Sequence, residues 1–234
     1  MSKLVTNDLQ RFFATWILIV ATVLLVLQIG VTIVKVIFSV ETGDVFTTAF
    51  DAYSVVMIVF GVMAVYPYLT LLAFHGVTRK NYLKGTIAAA IKTTFLSLLI
   101  ALVFLGLAYV AKNVFQLPIN GTLELGGFGE NLLLASVGYY LSSLAIFFIG
   151  WTIGLSFYRL GWFGGTIAII ISLFLFGILD YFWENEFLVI TINGIDFNNF
   201  WESHFFISLT GTLIILVGLF ITIRSLTRNI ALEL

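Results

Sequence analysis

His75-Gly76-Val77-Thr78-Arg79-Lys80-Asn81-Tyr82-Leu83-Lys84-Gly85 is the one strongly cationic, glycine-bracketed stretch in an otherwise oily chain. Arg79, Lys80 and Lys84 fall within six residues, and long apolar runs lie on both sides. The stretch therefore reads as a loop at a membrane surface, and its charge indicates which surface. Hydrophobic residues make up 61% of the 234 residues and charged residues 10%, with a mean hydropathy of +1.12. Soluble domains carry about 25% charged residues. The composition is that of an all-α integral membrane protein.

Working outward, six apolar runs have spanning length, given that about 20 helical residues cross a hydrocarbon core. They cover residues 12–38, 52–74, 86–111, 131–158, 162–183 and 204–223. The first run has 27 residues, too long for the apolar region of a signal peptide, and is read as a retained span. With both termini inside, nine of the eleven Lys and Arg fall on cytoplasmic segments or span ends, and only Lys35 and Lys112 fall outside. The positive-inside rule favours that orientation, so the expectation is a multi-pass protein of the plasma membrane with cytoplasmic N- and C-termini. Residues 1–234 form one membrane domain, without repeat or linker. Within it, residues 1–11 carry a weak helical stripe and read either as an interface segment or as a frayed helix start. Residues 75–85 form the cytoplasmic loop and residues 183–203 an extracellular one.

Two external segments contain Asn-Gly, at Asn120-Gly121 and Asn193-Gly194. Asn-Gly between apolar arms is a hairpin signal, because a type I′ turn needs positive φ at both central residues. The second has the stronger β-formers in Val189, Ile190, Thr191 and Ile192. A short extracellular β-hairpin and a simple polar turn both fit.

Several chemistries lack their residues. There is no Gly-x-x-x-x-Gly-Lys-Ser/Thr to cradle a nucleotide, no His-Glu-x-x-His and no Gly-x-Ser-x-Gly. Cysteine is absent, and His75 and His204 fall on opposite membrane faces, so no metal site is expected. The net charge of −1 argues neither for nor against nucleic acid, and no nucleic-acid partner is expected. Lys92, the most internal cation, lies within snorkelling reach of the cytoplasmic interface. Gly150 and Gly154, then Gly161, Gly164 and Gly165, allow close helix approach, within the chain or across a dimer. Pro67 removes a backbone hydrogen bond and should kink span two. Trp16, Trp162, Trp183 and Trp201 read as interfacial belts.

The cationic loop resembles a known family. From Phe74 to Thr86 the order Gly76-Val77-Thr78-Arg79-Lys80 is similar to the Gly-Val-Ser/Thr-Arg-Lys turn of small ABC-2-type permeases, the membrane subunits of bacterial, especially Gram-positive, ABC transporters. Gly161-Trp162-Phe163-Gly164-Gly165 matches more loosely. The resemblance implies a half-transporter that pairs with itself or a sister permease. Two separate ATP-binding subunits would carry ATP and Mg, leaving this chain with no cofactor and no enzymatic activity of its own. The family's loop between spans two and three forms a coupling helix, so Arg79, Lys80, Asn81, Tyr82 and Lys84 become the candidate ATPase contacts. Elements between spans five and six are commonly helical in that family, whereas residues 188–197 here read as extended.

An interior almost without fixed charge suits a hydrophobic or amphipathic substrate, such as a peptide, an antimicrobial peptide or a lipid-like molecule. The alternative is a membrane scaffold or sensor, with its acidic outer loops binding a ligand and its inner loop a partner. An intramembrane enzyme has no reactive constellation to stand on.

Overall fold

The computed structural model describes residues 2–38, 45–66, 68, 77–115, 131–183, 191–192, 195–196 and 205–228. Nearly all of them are helical: α1 (Ser2–Phe38), α2 (Val45–Met63), α3 (Arg79–Phe115), α4 (Leu132–Trp183) and α5 (Phe205–Arg228). Four of these helices, α1, α3, α4 and α5, are long and apolar enough to cross a membrane, and α2 contributes the shorter apolar stretch Thr48–Met63. The chain is a multi-pass, all-α membrane protein.

Glycine decides the course of α4. Its 52 residues would run about 78 Å if straight, but Gly161 has φ 68° and ψ −163°, a conformation open essentially to glycine alone. There the helix folds back on itself. A Cβ on Gly165 would strike the Phe157 ring, and a Cβ on Gly138 would strike the Trp183 indole. Gly138 and Trp183 stand 23 residues before and 22 residues after Gly161, so the two arms, 132–160 and 162–183, lie antiparallel along their whole length. Asn131 opens the first arm as its N-cap, its Oδ1 accepting from the amides of Leu133 at 3.2 Å and Leu134 at 3.4 Å.

The remaining helices pack on this hairpin. α2 runs parallel to the first arm: Phe50 meets Tyr139, Gly61 meets Phe147 and Trp151, and Tyr66 meets Tyr158. Small residues bring the two backbones together. A Cβ on Gly150 would strike the Ile58 carbonyl, one on Gly61 the Phe147 carbonyl, and one on Gly154 would come within 3.2 Å of the Val62 Cα. α3 runs antiparallel to both and α1 parallel to α3. α5 packs on the second arm, where Trp183 Nε1 donates to Thr212 Oγ1 at 2.8 Å.

α1 buries one stripe, Val5, Leu9, Phe13 and Ile17, at i, i+4 spacing. Leu18, Ile19, Val23, Val26 and Leu27 stay exposed on its other sides, as befits a helix facing lipid. Residues 2–11, expected as a separate interface segment or a frayed start, are the unbroken first turns of α1. They dock on α3, with Thr6 Oγ1 donating to the Gly85 carbonyl at 3.2 Å.

Where a hairpin or a polar turn is expected about Asn193-Gly194, Thr191–Ile192 and Ile195–Asp196 pair antiparallel, with Thr191 opposite Asp196 and Ile192 opposite Ile195. The earlier Asn120-Gly121 lies outside the described residues. So does Pro67 with its expected kink; α2 ends at Met63, ahead of it.

Candidate functional site: the cationic end of the bundle

The alternating helix directions bring the start of α1, the end of α2, the start of α3, the bend of α4 and the end of α5 to one end of the bundle. Lys3, Arg11, Arg79, Lys80, Lys84, Lys92, Arg159, Arg224 and Arg228 all lie toward this end. Among the described residues, Asp8 is the one carboxylate there.

The cationic stretch is helical earlier than its composition suggests. α3 begins at Arg79 rather than near Thr86, because Thr78 caps it. The Thr78 hydroxyl accepts from the Asn81 amide at 3.4 Å, and the Thr78 carbonyl accepts from the Tyr82 amide at 2.9 Å. The expected contact residues then part company. Arg79, Lys80 and Lys84 are exposed and Asn81 is half-buried. Tyr82, expected among the outward contacts, is buried at 1% exposure. Its hydroxyl donates to the Ala64 carbonyl at 2.8 Å and accepts from Trp151 Nε1 at 3.2 Å, with the two rings edge-to-face at 6.0 Å. Tyr82 thus ties α3 to the end of α2 and to α4, and the helical period leaves Lys80 and Lys84, two positions to either side, pointing outward.

Arg79 has a second attachment. Positive side chains in the first turn of a helix oppose its dipole, yet Arg79 donates to the Arg228 carbonyl at 3.0 Å. Arg159 donates likewise to the Ser225 carbonyl at 3.2 Å. Both guanidiniums satisfy carbonyls at the negative end of α5, where cations are favoured. Lys92 Nζ reaches back to Gln10 Oε1 at 3.2 Å, in keeping with snorkelling toward this end.

The glycines divide as well. Gly150 and Gly154 form the close seam with α2, inside the chain, and no spacing in the sequence marks Gly61 as their partner. Gly161 makes the bend, while Gly164 and Gly165 pack on Leu160 and Phe157 of that same bend rather than on another helix. Trp16 and Trp162 are exposed, as belt residues should be, but Trp183 is buried between Gly138 and Thr212. His75 and Gly76, like Trp201, lie outside the described residues.

Deeper in the bundle, the helix register sets Ser54 of α2, Thr93 of α3, and Ser142 and Ser143 of α4 at about one depth. None of the four side-chain hydroxyls has a hydrogen-bond partner among the described residues. They give the middle of an apolar bundle a layer of polarity without charge. Among the described residues, no three His, Cys, Asp or Glu side chains gather to hold a metal. No family model, curated protein or solved structure matches this chain.

Proposed function

We propose that this chain is the membrane-spanning subunit of an ATP-driven transporter of the ABC-2 permease kind, with ATP hydrolysed on a separate subunit that docks at the start of α3. In this reading α1, α2, α3, the two arms of α4, and α5 make six crossings. The cationic end and both termini face the cytoplasm, as the nine cations gathered there favour. A second permease, the same chain or a sister chain, completes the pathway. The substrate is hydrophobic or amphipathic, because the described interior carries hydroxyls in place of fixed charges.

One observation carries the reading: Arg79, Lys80 and Lys84 stand on the first turns of a helix that continues as α3, anchored by Tyr82 to α2 and α4. A displacement applied to those turns passes directly to three helices. Transport requires the partner to engage two states of the bundle with different contacts, and a helix end rigidly joined to the bundle can transmit that difference. Arg79 adds a link to α5.

Purification of the tagged chain from its host in mild detergent, followed by mass spectrometry, tests this. The comparison is a Lys80→Glu/Lys84→Glu variant. Both lysines are exposed, so the exchange leaves the fold intact, whereas Arg79 is committed to α5. The expected result is a Walker-A-containing ATPase with the parent and at least a roughly tenfold lower yield with the variant, in line with charge pairs at an interface. Absence of an ATPase with the parent, in detergent that preserves a control ABC complex, would overturn the proposal. So would undiminished recovery with the variant.

A further inference from the structure

The cationic end also contains a groove of about 480 Å³ along one face of α5, lined by Phe220, Ile221, Arg224, Ser225 and Arg228. Two features set it apart from a generally basic surface. First, no carboxylate lines it among the described residues. The carbonyls of Ser225 and Arg228, which could have taken hydrogen bonds from cations in the groove, already accept from Arg159 and Arg79. Four guanidiniums therefore gather around the last turns of one helix. Second, its polarity is graded. Phe220 and Ile221 lie one turn farther toward the apolar interior than Arg224 and Ser225, about 6 Å along the axis.

We infer that this groove binds an anionic phospholipid of the surrounding bilayer, its phosphate held by Arg224 and Arg228 and its acyl chain lying against Phe220 and Ile221. The planar guanidinium fork matches phosphate oxygens, and the Ser225 hydroxyl adds a donor beside them. Basic pockets between membrane helices recruit acidic headgroups by this chemistry. A free phosphate would use the arginines and leave the apolar floor unused, which favours the lipid as the source. The inference needs only that the chain sits in a bilayer, and it stands apart from the transporter reading.

Native mass spectrometry of the full-length protein in detergent, titrated with phosphatidylglycerol or phosphatidylcholine, tests it. The parent is expected to retain phosphatidylglycerol preferentially. Arg224→Gln/Arg228→Gln should lose that preference roughly tenfold or more, since each cation near a lipid surface contributes substantially. Lys3→Gln/Arg11→Gln, which removes two exposed cations from the same end outside the groove, should keep it. Should the double variant not yield monodisperse protein, Arg224→Gln alone is read in the same way. Equal retention of the two lipids by the parent would overturn the inference, as would equal loss in both double variants. Displacement of the lipid by soluble glycerol phosphate at matched concentration would assign the site to a free phosphate and overturn the lipid.

Discussion

Tyr82 shows how one side chain can reverse the reading of its neighbourhood. Its place between Asn81 and Lys84 in a charged stretch suggests a surface residue, yet its ring fills the junction of three helices. The signal for this was available at Thr78: a threonine just ahead of a helix is an N-cap. Starting the helical count there turns Tyr82 away from Lys80 and Lys84. Nothing in the sequence names Trp151 or Ala64 as its partners, because those meetings depend on how distant helices pack. Tyr82→Phe keeps the ring but strands the Trp151 N–H and the Ala64 carbonyl in a buried site. Leaving such groups unsatisfied costs about 1–3 kcal/mol. Thermal unfolding in detergent should show a lowered midpoint for Tyr82→Phe and an unchanged one for Lys84→Gln, whose side chain is exposed. A Tyr82→Phe protein as stable as the parent would mean that the two hydrogen bonds contribute nothing net.

Among the elements, α4 depends most on a single position. Leu132–Trp183 is apolar almost throughout, and its division into two runs was legible because Arg159-Leu160-Gly161 interrupts them. The tight turn there was legible too; what the sequence left open is its maker, since the whole reversal rests on the backbone freedom of Gly161. Gly161→Ala should therefore destabilise the protein by about 1–3 kcal/mol, the cost of forcing a side chain into that region. Gly218→Ala is the matched control, since Gly218 is helical and a Cβ there would meet nothing within 4 Å. It should leave the melting midpoint unchanged or slightly raised, alanine being the better helix former. The α2 seam was half legible. Gly150-x-x-x-Gly154 announces close packing, but the choice of Gly61 as partner follows from the parallel course of α2 and α4.

For the whole molecule, the spacing of apolar runs and the placement of nine cations were sufficient to describe an alternating bundle with one basic end. The contacts that run through the described residues follow that alternation: Thr6 with Gly85, Tyr82 with Ala64 and Trp151, Arg159 and Arg79 with the end of α5 at one pole, and Trp183 with Gly138 and Thr212 at the other. The proposed coupling role needs this pole on the cytoplasmic side. The chain contains no cysteine, so each introduced thiol reports alone. Labelling of single-cysteine variants with a membrane-impermeant maleimide, in intact and then permeabilised cells, therefore tests the architecture directly. Asn131→Cys should react in intact cells, whereas Lys80→Cys and Trp162→Cys should react only after permeabilisation. Reaction of Asn131→Cys and Trp162→Cys from the same side would contradict the account, because the first arm of α4 would then not cross the membrane.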